Sequence, residues 1–114
     1  MTNTLRPNFA ERAKAQRFQT RAFIDGRFVD ALDGKTFTTV NPANGEVLTR
    51  IAECDAADVE VAVAAAKAAF EDRRWAGLAP KERKRALLRL ADLVEQHAQE
   101  LALIESLDTV SYTH

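Results

Sequence analysis

Residues 36–51 read TFTTVNPANGEVLTRI, and this stretch decides the fold class of the first half of the chain. Its first five and last five residues are rich in β-branched and apolar side chains, which predicts two strands. Between them, Asn41–Glu46 combines asparagine, proline and glycine, the residues that favour tight turns. The stretch therefore predicts an antiparallel pair of strands at residues 36–40 and 47–51.

The residues before this stretch repeat the pattern on a smaller scale. Two short triplets, Ala22–Ile24 and Arg27–Val29, flank an Asp-Gly pair at 25–26, and a second Asp-Gly pair follows at 33–34. Glycine suits these turns because they require a positive φ. We expect one short antiparallel β-meander over residues 22–51.

After residue 54 the hydrophobic period changes from that of a strand to that of a helix. Asp55 and Asp58 predict a helix start, since acidic side chains stabilise the positive end of a helix dipole. This helix is expected over residues 55–70. A second, long helix from Pro80 to about Asp108 is expected because no helix-breaking residue interrupts the pattern.

Residues 1–21 form a predicted amino-terminal extension, with a short helix over Phe9–Phe18 that Asn8 caps. The expected fold class is therefore an α+β unit, in which a short antiparallel β-meander is followed by two helices, the second of them long.

One apolar stripe follows the long helix at helical spacing. We call it the seam, and its members are Leu87, Leu90, Val94, His97, Leu101 and Ile104. Further leucines and alanines widen it, which predicts contact on more than one side. Charge along this region is uneven. Residues 71–89 hold seven basic and three acidic residues, net +4, and residues 90–108 hold five acidic and no basic residues, net −5.

Composition excludes several classes of protein. The 114 residues include 16 basic and 17 acidic ones, a formal charge of −1, so neither nucleic acid nor an anionic membrane is an expected partner. One cysteine cannot form an internal disulfide. The chain has no apolar run of about 18 residues and no apolar leader stretch, so a cytoplasmic protein is expected.

Taken alone, the residues show no catalytic site. Cys54 has no histidine near it in the sequence and is interpreted as a simple strand-end residue. His97 lacks a second histidine at helical spacing, which argues against a metal site. The Gly-Lys-Thr run at 34–36 is not a phosphate loop, because Val29 stands where the first glycine belongs. The basic run Lys81–Arg89 is interpreted as a solvated helix face, with phosphate contact as the alternative.

The order of these elements resembles the amino-terminal segment of the NAD(P)-dependent aldehyde dehydrogenase superfamily over about residues 20–109. The motifs that carry the resemblance are Phe23-Ile24-Asp25-Gly26, Phe37-x-Thr39-Val40-Asn41-Pro42-Ala43-Asn44-Gly45-Glu46-Val47, Val59-x4-Ala64-x2-Lys67-x2-Phe70, Trp75, Pro80-x-Glu82-Arg83-x5-Leu88 and Leu101-x3-Glu105-Ser106-Leu107-Asp108-Thr109. The long preamble and residues 91–103 are most similar to the γ-glutamyl-aminobutyraldehyde dehydrogenase branch. The resemblance implies that residues 22–109 are the amino-terminal part of an aldehyde dehydrogenase-like α/β domain.

The resemblance stops at Thr109, where the family continues with Gly-Lys-Pro and several hundred more residues. Residues 110–114 read VSYTH and form a tail unlike the family, so a truncated chain is expected. The part that the resemblance implies to be missing holds the Rossmann glycines, the catalytic cysteine, the general-base glutamate and the oxyanion-hole asparagine. We therefore expect no catalytic or NAD(P)-binding residue in this chain, and no activity from it alone. Cys54 matches none of the family's catalytic positions.

The resemblance implies one binding site within the chain. Members of the superfamily often hold a structural Na⁺ or K⁺, and the ligands carried over are the backbone carbonyls of Thr39 and Val40 and the carboxylate of Asp108. Oxygen ligands suit such a hard cation. The alternative interpretation is that Asp108 only ends the helix.

Two functions stay open. The first is a fragment of an enzyme that oxidises aldehydes to carboxylic acids, and the second is a free-standing helical interaction module. In both cases the seam from Leu87 to Ile104 is the expected contact surface, because a wide apolar stripe left in water favours association. Its partner would be the remainder of the enzyme or a second copy of the chain.

Overall fold

The computed structural model describes residues 9–109, which form an α+β arrangement and confirm the expected fold class. Asn8, the predicted cap, and the tail 110–114 lie outside the described residues. The elements in chain order are α1 (Phe9–Ala15), β1 (Ala22–Ile24), β2 (Arg27–Val29), β3 (Thr36–Val40), β4 (Val47–Ala52), α2 (Ala56–Glu71), α3 (Pro80–Gln96) and α4 (Ala98–Asp108). The first helix is therefore shorter than the predicted Phe9–Phe18.

Strands β1 and β2 form a hairpin that Asp25 and Gly26 close. Both residues have a positive φ, 55° and 78°, as the two-residue turns whose twist matches the flanking strands require. The register places Phe23 opposite Phe28, with the ring centroids 5.1 Å apart. Aromatic cross-strand pairs of this kind stabilise a hairpin that has only three residues in each strand.

Strands β3 and β4 form the second hairpin, around the turn that the asparagine, proline and glycine cluster predicted. Two asparagine side chains in this turn each accept a backbone N–H two residues further along, at 2.9 and 3.0 Å. Thr39 lies opposite Thr49, whereas Val40 lies opposite Val47, so Leu48 is an extra residue in β4. A bulge of this kind bends the strand at the point where the turn begins.

The antiparallel strands are confirmed, but they form two separate two-stranded sheets rather than one continuous meander. The chain between β2 and β3 is held by other contacts. Ala31 is buried, and the N–H of Leu32 donates to the carboxylate of Asp58 in α2 at 2.8 Å. These contacts attach the segment between β2 and β3 to α2. Strand β4 instead contacts the segment before β1, since the N–H of Ala52 donates to the carbonyl of Thr20 at 2.8 Å.

Helix α2 begins as the two aspartates predicted. The carboxylate of Asp55 accepts the N–H groups of Ala57 and Asp58, at 3.0 and 3.4 Å, and the carboxylate of Asp58 accepts the N–H of Asp55 at 2.9 Å. This reciprocal arrangement is a capping box, which satisfies backbone donors that the helix itself leaves unpaired.

The turn after α2 depends on close backbone packing around Gly77. Its N–H donates to the carbonyl of Arg73 at 2.7 Å, and Arg73 itself has a φ of 60°. A Cβ at position 77 would lie 2.6 Å from that carbonyl oxygen. We expect Gly77→Ala to lower the free energy of unfolding by about 1–3 kcal/mol, because the backbone must move to admit the methyl group. Urea denaturation measures this, and an unchanged midpoint would contradict the expectation.

The expected long helix is interrupted at His97, which corrects the prediction of one continuous helix from Pro80 to Asp108. Pro80 occupies the first turn of α3, as predicted. At His97 the backbone has φ −105° and ψ 15°, outside helical values. Hydrogen bonds with helical spacing still join both sides, since His97 N–H donates to Leu93 and the carbonyl of His97 accepts from Leu101.

Contacts with α1 accompany the interruption, and we call them the clasp. The guanidinium of Arg12 donates to the carbonyl of Gln99 at 3.1 Å, and the side-chain amide of Gln16 donates to the carboxylate of Glu100 at 3.3 Å. The clasp joins α4 to a segment more than 80 residues earlier in the chain. The clasp therefore holds the first turn of α4, directly after the interruption, against the segment that carries α1.

Within residues 9–109, few side chains are buried. The buried residues are Ala31, Asp58, Leu103 and Leu107. Four members of the seam are instead 48–58% exposed, namely Leu87, Leu90, Val94 and Leu101. The core of the described chain is therefore small, and most of the apolar face of α3 meets solvent. No helix in the described range is both long and apolar enough to cross a membrane.

Candidate functional site

The thiol of Cys54 lies just after β4 and is exposed. Desolvation, followed by the negative charges of Asp58, Asp55 and Asp33, raises its pKa above the ordinary value. A nucleophilic cysteine needs the opposite, a pKa lowered by a cation or a neighbouring base. The surroundings of Cys54 therefore support its interpretation as a strand-end residue.

Cys54 is expected to react slowly with iodoacetamide at neutral pH, because a raised pKa leaves less thiolate than free cysteine has. The rate should still be climbing above about pH 8.5, where free cysteine is half ionised. Asp33→Asn removes one of the charges and should accelerate the reaction. Mass spectrometry of timed samples measures the rate, and modification faster than that of free cysteine would contradict the assignment.

The residues implied as cation ligands lie at the ends of two elements. Thr39 and Val40 end β3, and Asp108 ends α4. A cleft of about 410 Å³ is lined by residues of α1, by the β3–β4 turn from Asn41 onward and by Leu107. Val40 and Asp108 each adjoin a residue that lines this cleft. Carbonyl and carboxylate oxygens are suitable donors for a hard cation, and cation binding stays a prediction.

The contacts of the Gly-Lys-Thr run at 34–36 and of His97 are local structural contacts, not those of a binding site. Gly34 has a φ of 72° and its N–H closes a turn on Ala31 at 2.8 Å, so the run is a turn before β3. The Nδ1 atom of His97 lies 3.3 Å from a carboxylate oxygen of Glu100. Residues 9–109 contain no group of three or more His, Cys, Asp or Glu side chains placed to hold a metal ion.

The basic run Lys81–Arg89 lies on the surface of α3. Of its five basic side chains only Arg83 is half-buried, and among the residues that the structure describes none of the five forms an ion pair. This exposure supports the interpretation as a solvated helix face.

Asp58 has a second contact that sequence reasoning missed. Besides capping α2, its carboxylate accepts the N–H of Leu32, and the residue is only 3% exposed. Hydrogen bonds from the backbone of Asp55, and then from that of Leu32, lower the pKa of Asp58 below its ordinary value. The aspartate pair signalled the helix start. No signal in the sequence identified a partner 26 residues away.

Comparison with known proteins places this arrangement in one family. The sequence model described as "Aldehyde dehydrogenase family" matches residues 28–113. The aminoacetaldehyde dehydrogenase of Pseudomonas aeruginosa is 54% identical over 110 residues, which cover 96% of this chain and 22% of that enzyme. The chain thus spans about a fifth of the length of this relative.

Solved structures agree with the sequence match. An indole-3-acetaldehyde dehydrogenase in its apo form superposes with a TM-score of 0.85 at 44% identity, covering 89% of this chain and 23% of that one. The same kind of enzyme has also been solved with NAD⁺. A γ-glutamyl-γ-aminobutyraldehyde dehydrogenase from Burkholderia cenocepacia superposes with a TM-score of 0.84 at 47% identity, covering 87% and 20% of the two chains.

Proposed function

Because this chain belongs to the aldehyde dehydrogenase family, we propose that it is a structural segment of an NAD(P)-dependent enzyme that oxidises an aldehyde to a carboxylic acid. In that reaction the aldehyde and water give the acid, NAD(P)⁺ accepts a hydride and one proton is released. The proposal rests on the structural match, in which about nine-tenths of this chain superposes on about a fifth of the length of each solved aldehyde dehydrogenase. The segment's boundaries in this proposal are residues 22–109, with an extension before and a tail after.

We propose further that the 114 residues alone are inactive and do not bind NAD(P). The environment of Cys54 supports this, because three carboxylates and partial desolvation oppose thiolate formation. His97 lies between α3 and α4, whereas Cys54 lies in the connection from β4 to α2. The side chain of His97 contacts the carboxylate of Glu100. A thiol without a positioned base lacks the activation that thiohemiacetal formation needs.

The direct test mixes the pure chain with NAD⁺ or NADP⁺ and a panel of aldehydes, and follows the absorbance of the reduced cofactor. The panel should include aminoacetaldehyde, indole-3-acetaldehyde and γ-glutamyl-aminobutyraldehyde, the compounds named in the enzymes that it resembles. We expect no signal from the chain and a clear signal from the P. aeruginosa relative as the positive control. Aldehyde-dependent reduction that disappears in Cys54→Ala would contradict the inactivity.

A chimera tests the family role independently of that result. Residues 22–109 of this chain would replace the corresponding segment of the P. aeruginosa enzyme, to which the chain is 54% identical. We expect the chimera to fold and to retain aldehyde oxidation, because the segment contributes scaffold rather than reacting groups. A soluble, folded chimera without activity would contradict the scaffold role.

We propose that Thr39, Val40 and Asp108 hold Na⁺ or K⁺ in the assembled enzyme. If the site also forms in this chain, a cation at ten times its dissociation constant should add about 1.4 kcal/mol to the free energy of unfolding. Thermal melts in sodium, potassium and N-methylglucamine chlorides at equal ionic strength measure this. Asp108→Asn should abolish the difference between salts, and Asp92→Asn, an exposed acid of α3, should preserve it. Identical melting in all three salts would contradict a site in the isolated chain.

We also propose a cytoplasmic location. The lone, unpaired thiol supports this, since free cysteines are usual in a reducing compartment. Cell fractionation with an antibody against the chain checks the location, and recovery from another compartment would contradict it.

A further inference from the structure

The β3–β4 turn contains an asparagine that is followed directly by a glycine, Asn44 and Gly45. Both residues are exposed. Apart from the chain neighbours of Gly45, no atom of the described residues lies within 4 Å of the position that a Cβ of this glycine would occupy. Glycine has no side chain to shield its backbone nitrogen, so the side-chain carbonyl of the preceding residue can reach that nitrogen. The pair is therefore chemically open to an intramolecular reaction.

The reaction open to this pair is deamidation, for which water is the only co-reactant. The backbone nitrogen of Gly45 loses its proton to water or hydroxide and forms a bond to Cγ of Asn44, which closes a five-membered succinimide ring. The bond from Cγ to Nδ2 breaks, and Nδ2 takes up a proton and leaves as ammonia. Water then opens the ring, either at Cγ to give aspartate or at the backbone carbonyl carbon to give isoaspartate. An amide and water have become an acid and ammonia.

Hydrogen bonds within the turn hold both reacting groups out of this geometry. The N–H of Gly45 donates to the carbonyl of Asn41 at 2.7 Å, and the side-chain oxygen of Asn44 accepts the N–H of Glu46 at 3.0 Å. A third bond, from the N–H of Asn41 to the carbonyl of Glu46 at 2.8 Å, closes the turn. Ring closure requires Gly45 to release its proton and the side chain of Asn44 to rotate away from Glu46. The reaction must therefore wait for local opening of the turn.

We propose that Asn44 is a modification site of this chain, where deamidation proceeds only through the open form of the β3–β4 turn. The hydrogen bonds that delay the reaction all join residues between 41 and 46 to one another. The protection is therefore a property of the turn itself and requires no contact with another segment. Neither the site nor its protection depends on the aldehyde dehydrogenase function proposed above.

Isoaspartate at position 44 prevents the turn from closing again with the same hydrogen bonds. It adds a methylene carbon to the backbone of the turn, and the oxygen that had accepted the N–H of Glu46 becomes a main-chain oxygen. The strand pair nearest the turn is Val40 opposite Val47, so the longer backbone disturbs the register at this point. Each opening that ends in isoaspartate therefore weakens the hairpin permanently.

Mass spectrometry of timed samples of the 114-residue chain, kept folded in a mildly alkaline buffer, measures the reaction. A synthetic peptide of residues 38–48 is the unfolded reference. We expect Asn44 to react at least about tenfold more slowly in the chain than in the peptide, because only the open fraction of the turn reacts. Urea below the unfolding transition should raise the rate in the chain and leave that of the peptide nearly unchanged. Electron-transfer fragmentation distinguishes isoaspartate from aspartate, which has the same mass.

Asn41→Ala tests whether the turn controls the rate. The side-chain oxygen of Asn41 accepts the N–H of Ala43 at 2.9 Å, so its removal favours the open turn and should accelerate the reaction of Asn44 several-fold. Asp33→Ala is the matched control, because it removes the same kind of bond, to the N–H of Lys35 at 3.0 Å, from the turn before β3. This variant should leave the rate at Asn44 unchanged. Circular dichroism checks that both variants are folded, and the urea series on the unaltered chain needs no variant.

Asn41 also serves as a control within the unaltered chain. The residue after it, Pro42, has no backbone N–H, so its nitrogen cannot close the ring and Asn41 should remain an amide throughout. Asn44→Gln should abolish the reaction at position 44, because the longer side chain would have to close a six-membered ring.

Three results would overturn the proposal. The first is a folded chain in which Asn44 reacts as fast as it does in the peptide. The second is a chain in which Asn44 remains an amide in urea below the unfolding transition as well as without urea. The third is a folded Asn41→Ala chain whose rate at Asn44 is unchanged. Catalytic assays play no part in these measurements, so the result is independent of the function proposed above.

Discussion

Replacing Asp58 with alanine is expected to reduce the folding equilibrium constant at least about thirtyfold, because two backbone N–H groups lose the buried carboxylate that accepts their hydrogen bonds. One oxygen of this carboxylate accepts the N–H of Leu32 at 2.8 Å, and the other accepts the N–H of Asp55 at 2.9 Å. The first bond joins the segment after β2 to α2, and the second closes the capping box. A single substitution therefore weakens the start of a helix and a long-range contact together.

Asp58→Asn and Glu60→Ala serve as the comparison variants for this prediction. Asparagine retains one carbonyl oxygen, so only one of the two N–H groups keeps an acceptor and the loss should be intermediate. Glu60 lies exposed on the same helix, and its truncation should change little. Urea denaturation monitored by circular dichroism gives all three values, and an Asp58→Ala chain of unchanged stability would show that the two hydrogen bonds of Asp58 contribute nothing.

The same carboxylate should make stability depend on pH. Its hydrogen bonds lower its pKa in the folded chain, so folding favours the ionised form. The resulting stability is fully present above the pKa of an unfolded aspartate, about 3.9, and is lost as the pH falls through the lower folded value. Asp58→Asn should flatten this part of the pH profile. An identical acid transition in both chains would contradict the assignment.

Leu107→Ala is expected to lower the free energy of unfolding by about 2–4 kcal/mol, since it removes a buried side chain from a very small core. Leu107 is 4% exposed and lines the cleft between α1, α4 and the β3–β4 turn. The loss should include a cavity cost as well as the lost burial, because the surrounding structure relaxes only partly around the removed atoms.

Leu88→Ala is the matched control for this substitution, because it removes the same atoms from a leucine that is 56% exposed. We expect it to cost less than about 1 kcal/mol in dilute solution. Thermal and urea denaturation of the two variants measure the contrast. Equal losses would mean that α4 does not pack as described.

The hairpins could be predicted closely from the sequence because their signals are local. Asp25-Gly26 and the cluster Asn41–Glu46 specify turns by the backbone angles that their own residues favour. The strand residues adjoin these turns directly in the sequence. What could not be predicted is that the hairpins form separate sheets. The segment between the hairpins contacts α2 instead, where the N–H of Leu32 donates to Asp58, and a contact across 26 residues leaves no periodic trace in the sequence.

The interruption at His97 escaped prediction for a similar reason. Residues 80–108 contain no glycine and no proline after the first, so local propensity favours one helix. The contacts beside the interruption come from Arg12 and Gln16, more than 80 residues away. Tertiary contacts of this kind can override local propensity.

In the candidate site, too, only the features with a local sequence signal could be predicted. The weakness of Cys54 as a nucleophile was predictable from the absence of a nearby histidine, and the carboxylates around it strengthen that conclusion. The implied cation ligands Thr39, Val40 and Asp108 came from family resemblance. Two of them are backbone carbonyls, whose identity as ligands no side-chain pattern can reveal.

The clasp between α1 and α4 has a consequence for the order in which the chain acquires structure during synthesis. Both hairpins close between strands that are neighbours in the sequence, so each can form soon after its second strand leaves the ribosome. Residues 12 and 16 cannot form the clasp until residues 99 and 100 have been synthesised, more than 80 residues later. Over that interval α1 has no clasp, and the apolar residues destined for α4 do not yet exist. A factor that binds α1 during this interval therefore meets it without the clasp.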